Sequence, residues 1–354
     1  MAKIKPFRGL RPLPEKVKVI ASPPYDVLNS REARIMAQGN PDSFLHVVKP
    51  EIDLSPDIDL YDHSVYQKGK ENLERLIKQR YLVQDVTDCY YLYRQIMKDF
   101  DQIGLVAAVS IEDYENDIIK KHEHTRADKE ADRIRHVDTL NANSGLVFLT
   151  YKARSDLKEL AAEIMDNDPI YDFTADDGVK HIFWKIDSEY YIEKITTIFS
   201  QIDYLYVADG HHRSASGTRV GQMRRAANPH HTGEEEYNYF MAAIFPHDQL
   251  HILDYNRVVK DLNGLNPAEF LEKVAEKFLI AEYSSELPYH PTESHQFGMY
   301  LQGTWYRLTA KPGTFSPSDP VLSLDVSILQ NNLLSPVLDI QDPRNDKRID
   351  FVGG

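Results

Sequence analysis

A mixed α+β fold is the class this sequence predicts, and three observations carry it. Segments that alternate apolar and polar residues are interleaved with segments whose apolar residues recur every three to four positions. Several extended segments are joined by short turn signals, as hairpins are, so strands and helices do not alternate in the regular way of a parallel βα array. No repeat, heptad run or low-complexity tract points to another architecture.

Composition narrows the function classes. The chain has 354 residues, 42% of them hydrophobic and 27% charged, enough to bury a substantial core without disulfides or structural metals. The net charge of -14 argues against nucleic acid as a partner, which needs a basic surface. Cys89 is the only cysteine, so neither an intrachain disulfide nor a cysteine-based zinc site is expected. The N-terminus lacks a signal-peptide core, and no stretch approaches the roughly 20 apolar residues of a membrane span. A cytoplasmic protein without a membrane partner is the expectation, and the oligomeric state stays open.

Along the chain, "KVKVIASPPYDVL" reads as a short strand entering a proline-fixed loop, and "NSREARIMAQGN" as a helix capped by Asn29 or Ser30. "SFLHVVKPEID" reads as another strand. The next helix is expected to turn Leu73, Leu76 and Ile77 to one face. "CYYLYRQIM" and "DQIGLVAAVSIEDY" predict an antiparallel pair. A helix with Ile134, Val137 and Leu140 as a narrow apolar stripe follows, then a strand at "GLVFLTY". "SDLKELAAEIMDND" and "EYYIEKITTIFSQID" are helical, and between them Asp177-Gly178 turns a hairpin. "LYVAD" is a strand, and "SASGTRVGQMRRAAN" after it is a helix loosened by Gly217 and Gly221. "YNYFMAAIFPHDQLHILDYNRVV" holds two strands. "NPAEFLEKVAEKFLIAEY" is a helix with Pro267 in its first turn, and Gly303 turns a further hairpin. "SLDVSILQNNLLSPVLDI" is the last helix. No terminal strand is expected in "DPRNDKRIDFVGG", and a truncated chain is suspected.

Chemistry concentrates in "VADGHHRS". Asp209-Gly210 ends a strand before a helix, where unpaired N–H groups and the positive end of the dipole attract anions. Gly210 permits a tight turn, Arg213 offers a donor fork for phosphate, and His211, His212 and Ser214 add donors. The P-loop spacing is absent. A turn whose histidines satisfy nearby backbone groups would look the same. Zinc is disfavoured, because adjacent histidines diverge and no H-E-x-x-H is present, so no metal ligand is assigned. In "HEHT", Glu123 stands between His122 and His124, with Thr125 next and Asp132-Arg133 further along. It suits a general base or a Mg²⁺ ligand, or is part of a solvated charge run capped by Thr125 or Asp128. "SPPYDV" presents Tyr25 and Asp26 on a rigid loop.

Taken together and in order, "IKPFRGLRP", "SPPYDVL", "HEHT" with "DRIRHVDTLNANSGLVFL", "VADGHHRSASG" and "DPRNDKRIDFVGG" resemble domain-of-unknown-function family 1015 over nearly the whole chain. Members of that family continue past the glycine pair. The Asp209–Arg213 loop is also similar to that of ParB/sulfiredoxin-like proteins, matching the free-serine kinases among them residue for residue. Sulfiredoxin's catalytic cysteine has no counterpart, since His211 takes its place. The resemblance implies a ParB/sulfiredoxin-like nucleotide-binding core over residues 1–245, with an inserted α/β region around 60–200, and a C-terminal α/β region over 246–354.

It further implies a phosphotransferase that uses ATP or ADP with Mg²⁺ on a small hydroxyl metabolite, free serine being one acceptor. Asp209, Gly210, His211, His212, Arg213 and Ser214 would hold the nucleotide phosphates. Glu123 would be the base, with Asp209 assisting, and Tyr25, Asp26, His122, Thr125 and Arg133 would be neighbours of the site. Two alternatives stand beside it. One is a nucleotide-binding regulatory protein without chemistry. The other is a metal-dependent hydrolase using His122, His124, His211 and His212.

Overall fold

The alternating segments pair into one nine-stranded mixed sheet. The computed structural model describes residues 1–98, 100–123, 125, 127–285, 287–343 and 345–353. Among them, no helix is long and apolar enough to cross a membrane. The chain forms two compact units, Met1–His251 and Ile252–Gly354.

The first unit holds the large sheet. Its strands lie in the order Ile119–Lys120, Leu205–Asp209, Val147–Tyr151, Tyr239–Pro246, Phe100–Ser110, Tyr90–Met97, Lys180–Ile186 and Tyr171–Thr174. Ile4–Lys5 pairs antiparallel with the end of Phe100–Ser110, through Ile4–Val109. Two pairings are parallel, Leu205–Asp209 with Ile119–Lys120 and Tyr239–Pro246 with Val147–Tyr151, and the rest are antiparallel. The period of two explains the division of side chains. Val147, Leu149 and Tyr151 join the larger core, against Leu157, Leu160, Ile195 and Phe199 of the helices Ser155–Met165 and Glu189–Phe199. Phe148, one residue out of phase, packs on the opposite face with Tyr91 and Phe245. Gly178 takes φ 85° in the hairpin before Lys180–Ile186, as expected of Asp-Gly.

Local signals hold where capping chemistry is explicit. Asn29 caps the helix Ser30–Met36 in a reciprocal capping box with Glu32. In the second unit, Asn266 and Glu269 do the same for Pro267–Lys277, with Pro267 in the first turn. That helix packs Phe270 and Val274 against Phe278, Leu308 and Ile328. A three-stranded antiparallel sheet, in the order Phe278–Tyr283, Thr304–Ala310, Gln296–Leu301, supplies much of the rest.

Several expectations are corrected. Val17–Ile20 is a helical turn, not a strand, and "SFLHVVKPEID" forms the helical turn Leu45–Val48 and the 3-10 turn Pro50–Asp53. Leu45, Val47 and Val48 are buried, and so short a buried run carries no period to tell helix from strand. In the helix His63–Lys78 the buried face runs through Val65, Tyr66, Gly69, Leu73 and Leu76, whereas Ile77 is exposed. The helix from Pro267 stops at Lys277, and "FLIAEY" is a strand. The last helical segment is the short helix Asp325–Leu329 followed by a π-helical turn, Gln330–Leu334. A terminal strand does form: Ile349–Gly353 pairs antiparallel with Tyr255–Val259. Its partner lies about ninety residues upstream, beyond local sequence signals.

Candidate functional site

The strand Leu205–Asp209 ends at an irregularity: Val207 faces Leu149, but Asp209 faces Phe148, the next residue back. Such a shift re-aims a strand end. Gly210 then adopts φ 90° and ψ 35°, a left-handed conformation that glycine tolerates best. The helix His211–Ala227 starts at once, with Ser214 N–H donating to the Gly210 carbonyl at 2.9 Å. No side chain caps it. Among the described residues, the first-turn N–H groups and the positive end of a 17-residue helix therefore meet the end of the strand without a side-chain cap.

Arg213 folds back across this corner. Its Nη2 donates to Asp26 Oδ2 at 2.7 Å and Asp209 Oδ2 at 3.1 Å, and its Nη1 donates to the Leu146 carbonyl. Its side chain passes close to Gly145 and Gly210, where a Cβ would stand at ordinary contact distances, 3.4 Å from Arg213 Cδ and 3.5 Å from Nη1. Burial works against the cation, but Asp26 and Asp209 outweigh it and raise the guanidinium pKa. Among the described residues, the buried Arg213 Nε has no partner.

Tyr25 sits in a 3-10 turn behind Pro24. Arg133 Cζ stands 4.2 Å from its ring centroid and Arg213 Cζ 5.8 Å. Arg133 is paired with Asp132 at 2.7 Å, and Asp132 also accepts from Tyr66 Oη at 2.9 Å. Burial raises the Tyr25 pKa, so it stays a neutral phenol.

Glu123 and His122 follow the edge strand Ile119–Lys120, which pairs with Leu205–Asp209. Glu123 Oε2 lies 3.6 Å from His211 Nδ1, and the His122 ring meets His211 edge to face with centroids 4.4 Å apart. His211 is 7% exposed, and its buried Nε2 has no partner among the described residues. Burial, then the neighbouring His122, lowers its pKa and favours the neutral imidazole. His122, Glu123 and His211 bring ligand atoms within 4.8 Å of one another.

The fold thus draws Tyr25, Asp26, His122, Glu123, Asp209, His211 and Arg213 to one corner and links Arg133 to it through Tyr25. Ser214 is fully buried, and its hydroxyl turns back onto the His211 and Gly210 carbonyls. His212 is half-buried, and its Nδ1 has no partner among the described residues. Thr125 donates to Glu130 at 2.5 Å, a bond within its own segment. His124 lies outside the described residues. Sequence reasoning missed Leu146, whose carbonyl holds Arg213. A glycine two residues before a strand, at Gly145, was the available signal.

No curated protein and no solved structure matches the chain. A family model does match, over residues 4–327, and the chain belongs to that family, described as "Protein of unknown function (DUF1015)".

Proposed function

We propose that the protein binds a nucleotide by its phosphates at the Gly210 corner and transfers the terminal phosphoryl group of ATP or ADP to a hydroxyl of a small metabolite. The observation that carries this is the uncapped N-terminus of the helix His211–Ala227, presented behind a left-handed glycine at a strand end. In the transfer, the acceptor oxygen bonds to phosphorus as the bridging P–O bond of the nucleotide breaks, and the hydroxyl proton passes to a carboxylate. Glu123 and Asp209 are the carboxylates at hand, with side chains 61% and 65% exposed. The backbone N–H groups supply charge stabilisation to the phosphoryl oxygens. Asp26 meets Arg213 through one oxygen, and the other suits Mg²⁺, which would screen the phosphate charge. The likeness of Asp209–Arg213 to the loop of the ParB/sulfiredoxin-like serine kinases supports the same assignment, with free serine as one acceptor to try.

A second reading, nucleotide binding without transfer, is favoured by one observation. Arg213 is already committed to two carboxylates and a carbonyl, which suits a structural clamp better than a free catalytic cation.

Calorimetric titration with ATP and ADP, followed by a phosphotransfer assay over hydroxyl metabolites, separates the two. Transfer predicts that Glu123→Gln or Asp209→Asn lowers turnover by about 10²–10⁴-fold with nucleotide affinity kept, the usual range for a lost general base. Binding with no product from any acceptor leaves the second reading. No nucleotide binding at all sinks both.

A further inference from the structure

We propose that His122, Glu123 and His211 bind one divalent transition-metal ion of the zinc class. The three groups are gathered but not bonded to one another. At 3.6 Å, the Glu123 Oε2–His211 Nδ1 separation is longer than a hydrogen bond, and the two imidazoles meet only edge to face. Ligands held at about 2.0–2.1 Å around a tetrahedral ion stand roughly 3.3 Å apart. The separations here, all within 4.8 Å, need only a small closure. His122 and Glu123 are exposed and free to make it.

His211 is the fixed member. It is 7% exposed at the first position of a helix, and its Nδ1 is the nitrogen that faces Glu123, at 3.6 Å. Two imidazoles and one carboxylate match zinc and its neighbours, not Mg²⁺ or Ca²⁺, which take oxygen ligands. Three protein ligands leave a position for water or an oxygen of a bound molecule, the pattern of catalytic rather than structural zinc sites. The inference deepens the nucleotide reading at one point: Glu123 becomes a ligand, and Asp209 is left as the proton acceptor. Its geometric basis is independent of that reading.

The test uses the full chain, stripped with a chelator and dialysed against Co²⁺ and then Zn²⁺. Bound metal is counted, and Co²⁺ is followed by its visible absorption. With Cys89 buried elsewhere, no thiolate band is expected. One equivalent should bind, and His122→Ala and Glu123→Gln should each weaken it at least tenfold, the lower end of what even outer-shell changes do. His211→Ala risks the fold, so the two exposed positions carry the test, with thermal melts as the control. Stoichiometric uptake that both variants share with the wild type overturns the site, as does no uptake. Nucleotide titration of the stripped protein, freed of chelator and supplied with Mg²⁺ alone, keeps the two claims apart. Nucleotide binding without metal uptake removes only the metal, and metal uptake without nucleotide binding removes only the phosphate reading.

Discussion

Arg213 was readable from the sequence as a phosphate fork, because an arginine after Asp-Gly-His-His suits an anion. Its partner in the fold is Asp26, 187 residues upstream, and a single sequence holds nothing that joins the two. The same residue therefore has a structural task that local reading does not reveal. With a side chain 13% exposed between a 38%-exposed Asp26 and a 65%-exposed Asp209, it gains more than a surface pair and less than a buried one. Arg213→Ala should lower stability by about 2 kcal/mol, and Arg213→Lys should recover only part, because a lysine keeps the charge but not the fork. Urea midpoints measure both, and a lysine variant as stable as the wild type would sink the clamp. Gly210 is the complementary case. Its turn was legible, and the reason is now specific: a Cβ would meet Val147 Cα at an ordinary 3.4 Å, so φ 90° rather than crowding makes alanine unfavourable, by about 1–2 kcal/mol.

The helix that carries the site shows how an element can be read correctly and explained wrongly. Gly217 and Gly221 suggest a loosened helix, since each lowers helix propensity by about 1 kcal/mol relative to alanine. In the fold they are points of closest approach. A Cβ on Gly217 would lie 3.0 Å from Phe240 Cβ, and one on Gly221 2.4 Å from the Tyr237 carbonyl oxygen and 2.5 Å from Ile111 Cδ1. Gly221→Ala should destabilise by about 2 kcal/mol or more, overpacking outweighing the propensity gain. Gly217→Ala should do so by less, as Phe240 has only tenths of an ångström to yield. Thermal melts of the two variants give the order, and a stabilised Gly221→Ala would refute the close packing. Elements were legible where capping or turn chemistry is local, as at Asn29, Asn266 and Gly178. They were misread where a short apolar run is buried on every side, as at Leu45–Val48.

Across the whole molecule, the mixed α+β class was legible from periodicity, but the sheet order was not, because pairings such as Ile4–Val109 join distant segments. The corner that unites Tyr25, Glu123 and Arg213 is a product of that order, and so is the burial of His136. His136 was unremarked in the stripe of Ile134, Val137 and Leu140, yet it is 1% exposed, and its Nε2 lies 2.9 Å from the Val47 carbonyl. A carbonyl only accepts, so Nε2 carries the proton and donates. Burial, then the nearby Arg133 charge, pushes its pKa down to about 4. The unfolded chain, with a histidine pKa near 6.5, then binds more protons than the folded one between those values. Stability from this group is present above pH 6.5 and falls as the pH drops towards 4. Linkage puts the loss between pH 7.5 and pH 5 at about 2 kcal/mol. His46, whose pKa is raised by its bond to Asp53, acts with the opposite sign, so the comparison must be made against a variant and not read from the wild type alone. His136→Gln keeps a donor for Val47 and cannot titrate. It should be less stable than the wild type at pH 7.5 and lose about 2 kcal/mol less on going to pH 5. Urea unfolding of both proteins at the two pH values measures the difference, and parallel losses would mean that the folded protein lets His136 take up its proton as readily as water does.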